Sequence, residues 1–168
     1  MNGAVQLLLL GTERRIIGGP FNNFVPPAIG VCLERHSRLA GLADVLIDVA
    51  DFTAPTQAQL EDGLVRTLEL LREAPGLPLY VGCAAGIGRT GTFIAALARL
   101  AGITDAVAWT RAHYDRRAVE TPAQEAAVAA LDVAAVWRTY AETSRTGSRS
   151  PGGAGEGEGI APSLEDRP

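Results

Sequence analysis

The sequence contains no lysine. All 15 of its basic residues are arginine, which excludes a lysine Schiff base and the phosphate-binding lysine of nucleoside-triphosphate P-loops. Two cysteines and two histidines are too few for a disulfide framework or a closed Cys/His zinc site. Two thiols in a chain of this size read as those of a cytoplasmic protein. No excess of positive charge exists either: the net charge is −4 and the isoelectric point lies near 5.2, which argues against nucleic acid as a partner. No apolar run is long enough to span a membrane. The N-terminal run at residues 7–10 lacks a basic start and a convincing cleavage site, so it is expected to be a short buried strand, not an export signal.

What is present is ordinary globular composition, 47% hydrophobic and 20% charged over 168 residues, which suits one domain. Composition changes near the C-terminus. From Ser144 to Pro168 the text is mostly Gly, Ser, Pro, Glu and Arg, with Ile160 and Leu164 as the only large apolar residues. Such a stretch buries too little apolar surface to offset its ordering entropy. The expected organisation is a folded domain over 1–143 and a disordered tail over 144–168.

Within the domain, residues 19–27 carry three prolines and read as loop, and residues 44–49 (DVLIDV) read as a strand. Leu60, Leu64, Val65, Leu68 and Leu71 have helical spacing, with Thr56 and Gln59 as a capping box, so a helix is predicted over 57–73. Residues 77–81 are a short apolar strand. Helices are predicted over 92–101, from Thr104 or Asp105 to about Tyr114, and from Thr121 to about Glu142. In the last of these, Thr121 is the N-cap and Pro122 the first helical residue. The fold class is α/β: a small, mostly parallel sheet flanked by helices.

The chemistry concentrates at residues 81–91, VGCAAGIGRTG, between a predicted strand and a predicted helix. Loop N–H groups and a helix N-terminus converge there, which suits an anion. Gly86 and Gly88 permit close backbone approach, and Arg89 can grip two phosphate oxygens with its planar fork. Cys83 lies at the mouth of the loop, where positive potential favours a thiolate. A thiolate inside a phosphate cradle is a nucleophile aimed at phosphorus.

Cys83, the five residues Ala84, Ala85, Gly86, Ile87 and Gly88, then Arg89 and Thr90, resemble the signature of the protein tyrosine phosphatase superfamily. The short core is most similar to its compact, dual-specificity-like branch, with the resemblance extending over about residues 44–140. The resemblance implies that Cys83 is the nucleophile and that Ala84–Arg89 hold the phosphate. Asp51, 32 positions upstream, is implied as general acid, with Asp48 as runner-up. Thr90 would stabilise the departing thiolate, and Gln124 would place the hydrolytic water. It implies no metal or organic cofactor, and a phosphorylated protein or small phosphomonoester as partner. Ala84, Ala85 and Ile87 are uncharged, which disfavours phosphoinositides. The pattern departs at one point: the family's usual His before the cysteine is Gly82 here.

Two other readings stay open. One is a phosphate-binding module without turnover, as Gly82 suggests. The other is a dinucleotide-binding turn, since Gly86, Gly88 and Gly91 also spell GxGxxG. The exclusively arginine, alanine-rich usage suggests a bacterial source. Arg111, His113, Arg116 and Arg117 form a basic cluster, read first as a solvated helix end.

Overall fold

The candidate motif follows the central strand of a five-stranded sheet. The structure, a computed structural model, describes residues 3–147. Its strands are β1 (Ala4–Leu9), β2 (Thr12–Pro20), β3 (Ile29–Cys32), β4 (Val45–Leu46) and β5 (Leu79–Cys83), in the order β1-β2-β5-β3-β4. Only β1 and β2 are antiparallel; the other three pairs are parallel. The α/β, mostly parallel expectation therefore holds. β5 is central, and both of its neighbours pair with it through residue 82.

The N-terminal run is a strand, but not a buried one. It starts at Ala4 and alternates exposed and buried residues, with Leu8 60% exposed. Alternation follows because β1 is an edge strand with one face on the core. The turn to β2 passes through Leu10 and Gly11, both at positive φ (55° and 72°), as tight two-residue hairpins require.

The helices are α1 (Gln57–Glu73), α2 (Gly88–Leu100), α3 (Ala106–His113), α4 (Pro122–Ala130) and α5 (Val133–Gly147). The predicted span of α1 is matched, and its capping box forms: Thr56 Oγ1 accepts from the Gln59 N–H at 3.1 Å while Gln59 Oε1 accepts from the Thr56 N–H at 2.9 Å. Asp105 caps α3 and Thr121 caps α4. One predicted helix is in fact two, because the chain breaks at Leu131–Asp132. Arg99 of α2 donates to the carbonyls of Val128, Ala129 and Leu131, which satisfies the end of α4. Asp132 then caps the next helix through the Ala135 N–H at 2.9 Å.

α5 continues to Gly147, so residues 144–147 of the expected tail are helical. Residues 148–168 lie outside the described residues. The main core joins one sheet face, through Ile16, Val31, Leu79 and Val81, to α1 and α2 through Leu64, Leu68, Phe93 and Ile94. The other face carries a smaller cluster of Phe21, Phe24, Cys32 and Tyr80. Among the described residues no helix is long and apolar enough to cross a membrane.

Candidate active site

Central strand β5 ends at Cys83, the chain crosses residues 84–87, and α2 begins at Gly88. Gly86 sits at φ 71°, in the left-handed region that glycine reaches without a Cβ penalty. This curls the loop back, so the Gly86 N–H donates to Cys83 Sγ at 3.3 Å. Thr90 Oγ1 donates to the same sulfur at 3.2 Å. Two donors on one sulfur stabilise negative charge there. No side chain caps the start of α2, so its first N–H groups remain for another acceptor.

Arg89 is 4% exposed. Its Nη1 donates to the Val49 carbonyl at 2.7 Å, and its Nη2 lies 3.0 Å from Asp51 Oδ1 and 3.7 Å from Glu34 Oε2. Its Nε is buried and makes no hydrogen bond among the described residues. The segment after β4 thus delivers both a carbonyl and the Asp51 carboxylate to the loop arginine. Asp48 points elsewhere: its carboxylate pairs with Arg35 at 3.5 Å, both largely exposed. Sequence spacing left the choice open, and the geometry brings Asp51, not Asp48, to Arg89. A cleft of about 490 Å³ opens here, lined by Glu34, Arg35, His36, Asp48, Val49, Ala50, Asp51 and Arg89.

Gln124 is fully buried. Its Nε2 donates to the Thr53 carbonyl at 3.0 Å and its Oε1 accepts from the Glu120 N–H at 2.8 Å. It therefore ties the Asp51 segment to the start of α4, close beside Gly88. The second glycine pair of the motif serves this same contact. A Cβ at Gly88 would meet the Glu120 carboxylate, and one at Gly91 would meet Ala118 and the Val119 backbone. Gly91 lies inside α2, so the GxGxxG spacing is accounted for by packing. Phe52 and Val119 have positive φ (58° and 59°). Strain in bulky residues on both segments flanking the loop is the kind that functional sites hold.

Gly82 has no room for a side chain. A Cβ there would lie 2.7 Å from the Gly19 carbonyl oxygen and 2.9 Å from both N and Cα of Phe21. Cys32, opposite Gly82 across the sheet, is fully buried, and its thiol donates to the Glu34 carbonyl at 3.0 Å. Burial pushes this thiol up from its ordinary range, so it stays protonated at neutral pH. Iodoacetate at pH 7 should modify Cys83 and leave Cys32 untouched until the protein is denatured. Peptide mass mapping reads this, and native-state labelling of Cys32 would contradict it.

Two neighbours of the site were not legible in the sequence. Glu34, on the loop after β3, faces Arg89. Tyr114, which the sequence marks only as the end of a helix, donates a hydrogen bond to the Gly86 carbonyl. Both depend on contacts between distant segments. The basic cluster is largely engaged: Arg111 donates to the carbonyls of Ala118 and Val119 and pairs with Glu125, and Arg117 pairs with Asp115. The guanidinium of Arg117 holds the Asp115 carboxyl below its usual range. No group of three or more His, Cys, Asp or Glu among the described residues is placed to hold a metal.

Residues 32–103 match a family model described as "Polymorphic toxin system, DSP-PTPase phosphatase". No curated protein matches the chain. Among solved structures, Tk-PTP in its active form is 23% identical, with 75% of this chain and 95% of that chain covered and a TM-score of 0.56. A mutant form of Tk-PTP gives 24% identity, coverages of 77% and 94%, and a TM-score of 0.56. Kinase associated phosphatase, with its catalytic-site cysteine replaced by serine, gives 14% identity, coverages of 76% and 92%, and a TM-score of 0.52. The structural likenesses show a shared fold, and the family match, to a DSP-PTPase phosphatase model, spans the segment that carries Cys83 and Arg89.

Proposed function

We propose that this chain is a cysteine-dependent phosphatase that hydrolyses phosphomonoesters, with phosphotyrosine or phosphoserine/threonine on proteins as the substrate class. The observation that carries the reading is Arg89. It is a buried cation three residues past Gly86, whose N–H donates to Cys83 Sγ, and its Nε–H has no hydrogen-bond partner among the described residues. Most buried polar groups in proteins are hydrogen-bonded; of the unpaired ones among the described residues, Arg14 Nε, Gln57 Oε1, Ser144 Oγ and Arg89 Nε, it is Arg89 that follows the loop wrapping Cys83 Sγ. A phosphate dianion supplies the missing acceptor and the counter-charge. The uncharged Ala84, Ala85 and Ile87 fit a protein phosphate better than a phosphoinositide.

In the proposed reaction Cys83 Sγ attacks phosphorus in line as the bond to the leaving oxygen breaks. Arg89 and the N–H groups of the loop take the charge of the non-bridging oxygens. Phosphate replaces Asp51 as the anion facing Arg89, which frees the Asp51 carboxyl, in its protonated form, to give its proton to the leaving oxygen. A cysteinyl-phosphate and an alcohol or phenol result. Water then attacks phosphorus, its proton passes to the Asp51 carboxylate, and the S–P bond breaks to release phosphate. Thr90 Oγ1, already donating to Sγ, stabilises the departing thiolate. Gln124 ties the acid segment to α4 through the Thr53 carbonyl; its proposed part in placing the water requires its amide to give up the bond to Thr53 or to Glu120. No step calls on a metal or organic cofactor.

The second reading, a binder of phosphorylated ligands without turnover, is favoured by Gly82. Acid quench during turnover of a labelled aryl phosphate separates the two. A phosphoenzyme labelled at Cys83 is expected, and oxyanion binding with neither adduct nor turnover would establish the binder. Asp51→Asn should lower kcat/KM for phenyl phosphate by about 10²-fold, the scale of one general acid. The loss should be smaller for p-nitrophenyl phosphate, whose leaving group needs less protonation. Equal losses on both esters would remove Asp51 from the acid role.

A further inference from the structure

We propose that Tyr114 is a positioning residue for the phosphate-binding loop, fixing the Gly86 carbonyl so that the following N–H stays turned toward the oxyanion. The proposal rests on the phosphatase reading above and adds a residue to it. The Tyr114 hydroxyl donates to Gly86 O across 28 positions of sequence, and the side chain is buried. Gly86 is thereby held at both ends. Its N–H points to Cys83 Sγ, and its carbonyl points to Tyr114.

A peptide unit is planar and trans, so its C=O and N–H point in opposite directions. A Gly86 carbonyl anchored on Tyr114 commits the Ile87 N–H to the opposite side. Glycine is the residue whose flanking peptides turn over at least steric cost, so this unit has most to gain from an external tie. The tie is anchored in the scaffold. Tyr114 closes the C-terminus of α3, its N–H donating to the Thr110 carbonyl at 2.9 Å. Its ring lies over Gly18 of β2, where any Cβ would come within 2.4–2.5 Å of the ring and hydroxyl. On the strand side, Gly82 offers no side chain, and the Phe21 backbone occupies its place. Side-chain support reaches this loop from Tyr114 at the end of α3, in addition to the Thr90 hydroxyl on Cys83 Sγ.

The test compares Tyr114→Phe with Tyr80→Phe. Tyr80 supplies a stringent control, because its hydroxyl also donates to a backbone carbonyl, Pro20 O at 2.8 Å, beside Cys83 on the β2 side but without touching residues 84–87. Tungstate affinity of the folded protein is measured by calorimetry, and kcat and KM with p-nitrophenyl phosphate. Tyr114→Phe should weaken tungstate binding and lower kcat/KM by about tenfold, the scale of one lost hydrogen bond. Tyr80→Phe should change thermal stability similarly and leave both readouts at wild type. Equal behaviour of the two variants, or wild-type tungstate affinity in Tyr114→Phe, overturns the proposal. If Tyr114→Phe does not fold, Tyr114→Met, a flexible filler of the same space, takes its place. Collapse of both variants makes Tyr114 a core residue and also overturns the proposal. Failure of the wild-type protein to bind tungstate would instead sink the phosphatase reading, so the two failures are distinct.

Discussion

Cys83→Ser should abolish hydrolysis of p-nitrophenyl phosphate at every pH from 5 to 8, a fall of at least about 10³-fold on the scale of lost nucleophiles. The reason is local. The Gly86 N–H and the Thr90 hydroxyl both donate to Sγ, an arrangement that supports a thiolate. A serine hydroxyl is not ionised in this pH range, and its shorter bond withdraws the oxygen from both donors. The cradle itself should survive, because Arg89 is held by the Val49 carbonyl and by Glu34, not by the sulfur. Inorganic phosphate should therefore still raise the melting temperature of Cys83→Ser. Residual turnover within tenfold of wild type would mean that Cys83 is not the nucleophile. Loss of both turnover and phosphate stabilisation would mean that the sulfur holds the loop together.

How far this was readable beforehand depended on the range of the interactions concerned. Helix α1 was legible to its ends because its capping box, Thr56 with Gln59, lies within one turn and the leucine spacing continues from it. The strand–loop–helix around Cys83 was legible because its chemistry is contiguous in sequence. β2 was not. Its text opens with Thr12, Glu13, Arg14 and Arg15, which looks like surface, yet Arg14 is 5% exposed and reaches inward to the Pro75 carbonyl beyond α1. The break between α4 and α5 was also hidden, because Arg99, about 30 residues away, takes the carbonyls that a continuous helix would have used. At the site, the resemblance pointed to Asp51 with Asp48 as runner-up, and only the fold shows that Asp51 is the one that meets Arg89. Glu34 and Tyr114 could not be placed from the sequence, since each meets the loop only through the sheet order and the seat of α3.

Restoring the family's histidine by Gly82→His should not restore a more active enzyme; it should unfold this one. The sequence alone presents Gly82 as the loss of a useful side chain. The structure presents it as a close approach of backbone. β2 pairs with β5 through Gly19 and Gly82, then turns through Pro20 and Phe21 directly over residue 82. A Cβ at that position meets three backbone atoms at 2.7–2.9 Å, and backbone cannot yield as a flexible side-chain tip does. Moving Phe21 would disturb its stacking on Phe24, at 5.0 Å between ring centroids, and its edge contact with Tyr80. Even Gly82→Ala should cost about 3 kcal/mol, the upper range for overpacking, and lower the melting temperature by roughly 6–12 °C for a chain of this length. Gly82→His adds an imidazole to the same space and should leave little folded protein against a typical stability of about 5–15 kcal/mol. A Gly82→His protein that melts with the wild type and turns over p-nitrophenyl phosphate faster would show that the Phe21 segment gives way freely. That result would make Gly82 a simple loss. The expected result makes it a requirement of this chain's own loop, whose hydroxyl support arrives from Tyr114 on the other side.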